Sequence, residues 1–203
     1  MKKIITLLII VLLSLMPFTS KVEAVSDYYS EIGNPVPSLG RLRNPVPGSP
    51  INVRYGEEVG KNCRGIKLGK NTGEMGSPGA NVIAAKAGVV VSVGYKEPEL
   101  IGNRIRDGVT SPWYDGYEAS GRGNYVIISH GVYDDGWEVT SGYYHLWDVF
   151  VTEGQQVNSS DVIGTVGCTG DVIESYLCFE IMANGNKVNP ELFISYGPSV
   201  NTT

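Results

Sequence analysis

Residues 174–181 read ESYLCFEI, a stretch in which alternate positions differ sharply in chemistry. Because successive side chains of a β-strand point to opposite faces, one face of such a strand would carry Tyr176, Cys178 and Glu180. The other face would carry Leu177, Phe179 and Ile181. A phenol, a thiol and a carboxylate in one row could bind a metal ion or move protons, or they could be the remainder of a site that has lost its chemistry.

Strands are the elements that must position this row. Short runs rich in Val, Ile and Tyr alternate with Gly, Asn and Asp, which is the pattern of β-strands joined by turns. Asp135-Gly136 and Asn184-Gly185 are typical of two-residue hairpin turns. No segment has a convincing apolar period of 3.6 residues, so we predict an all-β fold, which agrees with the 26 glycines. The runs cover residues 51–56, 81–95, 123–131, 137–151, 162–168 and 175–188.

Residues 96–122 interrupt this pattern and are predicted to form a long loop. Trp113, Tyr114 and Tyr117 lie there among Gly, Asp, Arg and Pro. Loops of this length are often functional, and the alternative is a lid that packs over the edge of a sheet.

The first residues have the features of an export signal. Two lysines precede an apolar run of about 15 residues, which is shorter than the roughly 20 needed to span a bilayer. The small-residue pattern Val22-Glu23-Ala24 follows. We therefore predict that residues 1–24 are a signal peptide and that the protein is secreted.

The remaining composition limits the domain count and the partners. Residues 25–46, rich in Pro, Gly and Ser, are predicted to be an extended arm that leads into one domain at 47–197. The formal net charge is -5 and no basic patch is present, so we do not expect nucleic acid as a partner. No later apolar stretch is long enough for a membrane span after the signal is cleaved.

Several fragments, read in order, resemble one family: the lysostaphin-like, LytM-type zinc metallopeptidases, which cut peptide cross-bridges in bacterial peptidoglycan. The resemblance covers residues 45–195 and implies a small antiparallel β-sandwich with a groove across one sheet, the duplicated hybrid motif. It also implies a place in the bacterial cell envelope. The fragments include VIAAKAGVVVSVGY (82–95), GNYVIISHG (123–131), YYHL (143–146), VTEGQQVNSSDVIGTVGCTG (151–170) and YLCFEI (176–181).

The resemblance also implies which positions would hold zinc. In the family, two histidines and an aspartate bind the ion and leave one position for the water that attacks the amide. This sequence has Cys63, Lys67 and Cys178 at the three ligand positions, and Tyr176 where the family has a catalytic histidine. His145, in YYHL, is the one catalytic position retained. Since a protonated amine has no lone pair for a metal, we predict no metal and no other cofactor.

The cysteines invite a different interpretation of the same positions. Two side chains at ligand positions of one ion lie close together, so the resemblance predicts a disulfide between Cys63 and Cys178 in an exported protein. Cys168 would then be left over as a buried thiol. Two alternatives stay open: a reduced pair without metal, and a zinc site made by Cys63, Cys178 and His145. His130, in IISHG, matches a family histidine that is not a ligand, and we expect a structural role for it.

These replacements predict a non-catalytic protein of the cell envelope that binds peptidoglycan or regulates a cell-wall hydrolase or an envelope complex. Its partner would be peptidoglycan or a cell-envelope protein. The first alternative is an active zinc endopeptidase with an altered, cysteine-containing site, and zinc would then be its cofactor. The second is a purely structural domain whose groove is filled by its own loop. Aromatic residues suited to contact a ligand in the groove are Tyr176, Trp113, Tyr114 and one of Tyr143 and Tyr144. Of these last two, we expect one to face the groove beside His145 and the other to pack inward.

Overall fold

The computed structural model describes residues 40–57, 63–70, 72–106, 108–117, 121–134 and 136–195. The predicted signal peptide and most of the predicted arm lie outside these residues. Contacts divide the chain into two units, Met1–Val36 and Pro37–Thr203, and every described residue belongs to the second. In this part of the chain no helix is long and apolar enough to cross a membrane.

The described residues form β-strands and one 3-10 turn, Pro190–Leu192, which confirms the predicted all-β class. The strands are β1 (Leu42–Arg43), β2 (Ile51–Val53), β3 (Ile66–Leu68), β4 (Asn81–Ile83), β5 (Gly88–Gly94), β6 (Leu100–Arg106), β7 (Val109–Tyr114), β8 (Asn124–Val132), β9 (Glu138–Val149), β10 (Gln156–Val157), β11 (Val162–Val166), β12 (Leu177–Ala183), β13 (Asn186–Val188) and β14 (Ile194–Ser195).

The largest sheet has the strand order β10-β5-β8-β9-β12-β3-β2, and each pairing along this path is antiparallel. β9 has 12 residues and pairs with β8, β12 and β11, while β11 also pairs with β4. β9 and β12 therefore lie side by side near the middle of the sheet, where both faces of a strand can be covered. Because of this position, the side chains of Tyr176, Cys178 and Glu180 lie among residues of neighbouring strands.

The turn between β12 and β13 is the one that the sequence predicts. Asn184 and Gly185 have φ values of 48° and 76°, and Ala183 pairs with Asn186 across them. Positive φ at both central residues matches the right-handed twist of the strands, and Asn-Gly adopts it at little cost. Of the other predicted turn, Asp135 lies outside the described residues, and Gly136 has a φ of 82°.

The prediction of a long loop over residues 96–122 is wrong for its central part. β6 and β7 pair there as a separate two-stranded antiparallel ribbon. The sequence hides it because Pro112 and several polar residues interrupt the apolar alternation, and proline argues against a central strand but not against an edge strand. Both Arg104 and Arg106 contact the carboxylate of Asp171, and these ion pairs hold the ribbon on the loop after β11.

The boundary predicted between the arm and the domain is too late. Leu42 and Val46 are each 1% exposed, so residues 40–46 belong to the fold. β1 pairs in parallel with β14, and Leu42 lies opposite Ile194. The first and last described strands of the chain are therefore neighbours.

The apolar face of β12 packs into the core as expected. Leu177, Phe179 and Ile181 are buried, and the ring of Phe179 lies 5.3 Å from that of Tyr143 on β9. The Tyr143 hydroxyl accepts a hydrogen bond of 2.9 Å from the Ala85 amide. Because it is buried, the pKa of Tyr143 is raised to about 12. Tyr143 therefore packs inward on the core, and Tyr144, which lies opposite Cys178, is the member of the pair on the other face of the sheet.

His130 joins two strands and a turn. Its Nδ1 lies 2.9 Å from the Ala87 carbonyl oxygen, and its Nε2 lies 2.9 Å from the hydroxyl of Ser141 on β9. A carbonyl only accepts, so Nδ1 carries the proton in the neutral ring. Burial lowers the pKa of His130 below its ordinary value, the charge of Lys86 adds to this effect, and the bond to Ala87 opposes it.

We predict that His130 makes the fold less stable as the pH falls. Because its pKa is lower in the folded state, the unfolded chain binds a proton first once the pH drops below about 6.5. The stability that neutral His130 contributes is therefore fully present above about pH 6.5. It is lost progressively as the pH falls from there to the lower pKa of the folded state. Denaturant unfolding at a series of pH values, comparing wild type with His130→Gln, measures it. The variant should show a smaller loss between pH 7.5 and 5.5, and identical slopes would contradict the assignment.

Candidate functional site

The polar row of residues 176–180 is buried, like the apolar row on the opposite face. Tyr176 is 5% exposed, Cys178 is 0% exposed and Glu180 is 1% exposed. This finding corrects the expectation that Tyr176 offers its ring to a ligand at the floor of an open groove. Two members of the row, Tyr176 and Cys178, instead belong to a second apolar core, the disulfide cluster: Cys63, Tyr144, Cys168, Val172, Tyr176 and Cys178.

The strand register brings the predicted site residues together. Cys178 lies directly opposite Lys67 of β3 on one side and Tyr144 of β9 on the other. Tyr144 in turn lies opposite Tyr125 of β8. Residues directly opposite in a sheet share a face, so these four side chains form one row across four strands. The Lys67 ammonium also lies over the ring of Tyr176, 4.3 Å from its centroid.

Cys63 and Cys178 form a disulfide, with their Cα atoms 5.6 Å apart. This separation lies in the ordinary range for such bonds. The bond fixes the segment before β3 to the beginning of β12. Since the two cysteines are 115 residues apart, the chain-entropy model gives it roughly 4–5 kcal/mol of stabilisation.

Cys168 is the remaining cysteine and is a buried thiol in the same cluster. The Gly76 amide donates to its sulfur at 3.4 Å. Burial raises the pKa of this thiol above its ordinary value, although the hydrogen bonds from Gly76 and Ser175 oppose the shift. A thiol that is buried and hard to ionise is a poor nucleophile and a poor metal ligand.

His145 reaches this face through an unusual backbone conformation. Its φ of 66° lies in the left-handed region, which residues other than glycine seldom adopt. The strict alternation of β9 would place it on the same side as Tyr143. Instead its ring meets that of Tyr176 edge to face at 5.3 Å, and its Nδ1 lies 2.9 Å from the carbonyl oxygen of Thr169.

The other predicted contact aromatics are also occupied by the protein itself. Tyr144 is 1% exposed, the guanidinium of Arg122 lies 4.4 Å from its ring centroid, and burial raises its pKa to about 12. Trp113 is half-buried and is covered by the guanidinium of Arg104 at 4.0 Å. Tyr114 packs edge to face on Trp147 at 5.2 Å and contacts the disulfide cluster. Tyr144 is therefore covered by the protein itself, whereas Trp113 and Tyr114 keep part of their surface exposed.

Glu180 is the member of the row whose role the sequence does not reveal. The Arg64 amide donates to its Oε1 at 2.8 Å, and its Oε2 contacts the ammonium of Lys187 and lies 3.4 Å from the guanidinium of Arg122. Its partners come from distant parts of the chain, so only the fold shows them. A buried carboxylate needs such partners, because without them its burial is costly. Desolvation lowers the pKa of Lys187, and the bond to Glu180 opposes that shift.

The family to which the fragments point is a zinc family, and the donors present do not fit that ion. The sulfurs of Cys63 and Cys178 are bonded to each other, so neither is the thiolate that a metal would bind. Lys67, at the third ligand position, presents an ammonium group without a lone pair. Within the described residues, no three side chains of His, Cys, Asp or Glu are grouped so as to hold a metal ion.

Comparison with known proteins identifies the class. The sequence model of Peptidase family M23 matches residues 62–190, which is more than half of the chain, and the chain therefore belongs to this family. It is 37% identical over 67 residues to the peptidoglycan DD-endopeptidase ShyA of Vibrio cholerae, covering 33% of this chain and 14% of that protein. It is 30% identical over 117 residues to the murein hydrolase activator NlpD of Escherichia coli, covering 58% of this chain and 26% of that protein.

Solved structures show the same fold. The structure of the SpoIIQ-SpoIIIAH pore forming complex contains a chain that matches with a TM-score of 0.54 at 20% identity, covering 78% of this chain and 93% of that one. At this identity the match establishes the fold alone. The chain spans about a quarter or less of the length of the two curated relatives.

We predict that thiol titration of the unreduced protein will find one thiol per chain. The reagent should detect Cys168, because Cys63 and Cys178 are bonded, and it should react slowly until denaturant exposes the sulfur. A Cys168→Ser variant, titrated in parallel, should show no thiol at all. Three thiols in the denatured, unreduced wild type would contradict the disulfide.

We also predict that Glu180→Gln destabilises the fold by about 2–3 kcal/mol, measured by denaturant unfolding. Breaking a fully buried ion pair costs about 3–5 kcal/mol, and the cost is lower here because Arg122 and Lys187 are partly exposed. The matched control is Glu174→Gln, which removes a surface pair with Lys70 and should cost less than about 1 kcal/mol. Equal losses in the two variants would show that the burial of Glu180 has no special weight.

Proposed function

We propose that this chain is an exported, non-catalytic member of the M23 family, acting in the bacterial cell envelope by binding. Its target would be peptidoglycan, or a cell-wall hydrolase or envelope complex that it regulates. The observation that carries the proposal is the Cys63–Cys178 disulfide, which stands where the family places two zinc ligands. Without zinc, no metal-bound water is available to attack an amide.

The surroundings of the disulfide support the same conclusion. Lys67 adds a positive charge to the position where a dication would sit, and its ammonium is held over Tyr176. Met75, Tyr114, Tyr125 and Trp147 pack against the disulfide cluster. Side chains thus occupy the space around the former ligand positions, and a scissile peptide bond would have to displace them.

The relatives are consistent with either an enzymatic or a binding role for this fold. By its name, ShyA is a peptidoglycan endopeptidase, whereas NlpD is an activator of murein hydrolases. Among the residues that the structure describes, no three side chains of His, Cys, Asp or Glu are grouped so as to hold the metal that the first role needs. We therefore favour the second kind of role, in which the fold recognises a component of the envelope.

Export is supported by two independent features. The first 24 residues have the charge and apolar pattern of a signal peptide. Structural disulfides persist in oxidising compartments outside the cytoplasm and are rare inside it. The Cys63–Cys178 bond therefore agrees with a protein that works outside the cytoplasm.

The test is a comparison of metal content, cleavage and retention on cell wall. The secreted wild type should contain no stoichiometric zinc by elemental analysis and should release no fragments from purified peptidoglycan. A triple variant that restores the family ligands, Cys63→His with Lys67→Asp and Cys178→His, should gain zinc. Cys168→Ser is the matched control, because it removes a cysteine outside the ligand positions and should gain none.

Two outcomes would reject parts of the proposal. Stoichiometric zinc in the wild type, together with cleavage of cross-linked peptidoglycan, would establish the altered zinc endopeptidase instead. Sedimentation with insoluble peptidoglycan then separates the two kinds of target. If the wild type sediments with peptidoglycan, it binds the cell wall directly. If it fails to sediment both with and without other envelope proteins, only a structural role remains.

A further inference from the structure

Three basic residues surround the buried carboxylate of Glu180. Lys187 of β13 contacts its Oε2, and the guanidinium of Arg122 lies 3.4 Å from the same oxygen. The backbone amide of Arg64 donates to its Oε1 at 2.8 Å, which fixes the backbone of this residue beside the carboxylate. We call these four residues the basic cluster. Its one negative charge leaves two of its three positive charges unbalanced within the cluster.

The cationic groups of the basic cluster reach solvent, whereas its carboxylate does not. The side chain of Glu180 is 0% exposed, while those of Arg122 and Lys187 are 34% and 19% exposed. Arg64 is exposed as well. A molecule that arrives from solvent therefore meets positive charge and N–H donors first. This local excess contrasts with the whole chain, whose formal net charge is -5, and it would attract an anion.

Arg122 is held in place by two contacts of different kinds. Its guanidinium lies beside Glu180 and also 4.4 Å from the ring centroid of Tyr144. Gly142 makes room for this arrangement, because it lies opposite Glu180 and a Cβ on it would come within 2.5 Å of the Tyr144 hydroxyl. A guanidinium has five N–H donors in one plane, and stacking on a ring leaves those not directed at Glu180 available. Arg122 is thus oriented in advance for a two-point contact with an anion.

The three basic groups also act on one another. Burial is the largest cause that lowers the pKa of Lys187, and the contact with Glu180 opposes this shift. The charges of Arg122 and Arg64 lower the same pKa further. Like charges that are near enough to influence one another repel, and an anion bound among them would relieve the repulsion.

We propose that the basic cluster binds a doubly charged phosphate, either the free ion or a phosphate monoester. Arg122 would bind two phosphate oxygens through its planar fork, and Lys187 and Arg64 would supply further positive charge. A phosphate monoester carries about 1.5 to 2 negative charges at pH 7, which matches the two positive charges that Glu180 leaves unbalanced. This inference goes beyond the proposed function, because phosphate binding does not depend on whether the chain binds peptidoglycan.

The test is a titration of the full secreted chain with inorganic phosphate at about pH 7. The ionic strength is kept constant, because salt screens exposed charges. In ¹H–¹⁵N spectra, the backbone and Nε–H signals of Arg64 and Arg122 should shift and reach saturation. Those of Arg43, which is exposed on β1, should stay in place. Dimethyl phosphate, a diester with one charge, should bind about fivefold more weakly than phosphate.

Two substitutions separate the effect of charge from that of geometry. Arg64→Gln removes one exposed charge and should weaken phosphate binding about three- to fivefold. Arg43→Gln is the matched control and should leave the affinity unchanged. Arg122→Lys keeps the charge and the partner Glu180 but loses the planar fork, so it should weaken binding about tenfold. Circular dichroism checks that each variant is folded.

Three results would each overturn the phosphate site. They are shifts that do not saturate, equal affinity for phosphate and dimethyl phosphate, and an unchanged affinity in either Arg64→Gln or Arg122→Lys. Titration with glycerol 1-phosphate then distinguishes the two sources of the ligand. Affinity equal to that of inorganic phosphate indicates a phosphate ester, and binding of inorganic phosphate alone indicates the free ion. Both of these results support the site.

The same titration is independent of the test of the proposed function. If the chain binds phosphate but does not sediment with phosphorus-free peptidoglycan, the phosphate site stands and direct binding to peptidoglycan is rejected. If the chain sediments but phosphate causes no saturable shift, the phosphate site is rejected and the proposed function stands.

Discussion

The bond between Cys63 and Cys178 fixes the beginning of β12 to a segment that precedes it by more than 100 residues. Around that bond the register of β3, β12, β9 and β8 places Lys67, Tyr144 and Tyr125 in one row. A polar row at the centre of a sheet is stable only if each group has a partner or is covered. Here the sulfurs bond each other, and the Lys67 ammonium lies on the ring of Tyr176. Further along β12, the Glu180 carboxylate is held by Lys187 and Arg122.

The covering layer matters as much as the row itself. The β6–β7 ribbon adds Tyr114 to the apolar shell of the disulfide cluster, and the pairing of its arginines with Asp171 keeps it in place. Without this cover, the polar row beside the disulfide would line an open pocket. The combination of a disulfide, an ammonium–aromatic contact and a docked ribbon instead gives a packed second core on this face of the sheet.

Much of this could be predicted from residue patterns, and the remainder depends on long-range contacts. The strand class follows from alternation and turn chemistry, and Asn184-Gly185 specifies its hairpin locally. Residue patterns do not identify the β6–β7 ribbon, because Pro112 disrupts the alternation on which strand prediction depends. Local sequence also does not predict that Tyr144 and Tyr176 are buried, or which groups contact Glu180. These features depend on residues that are distant in sequence. The left-handed φ of His145 has no sequence signal, because histidine rarely adopts it.

The parallel pairing of β1 with β14 places the entry and the exit of the domain next to each other, about 5 Å apart across the strand pair. A domain whose two ends meet in this way can be spliced into a loop of a larger host, or hung from a single tether, without stretching its sheets. A force that pulls on both ends of the domain would act first on the two residue pairs between β1 and β14. The larger sheet, which the disulfide holds together, would be affected only after they separate.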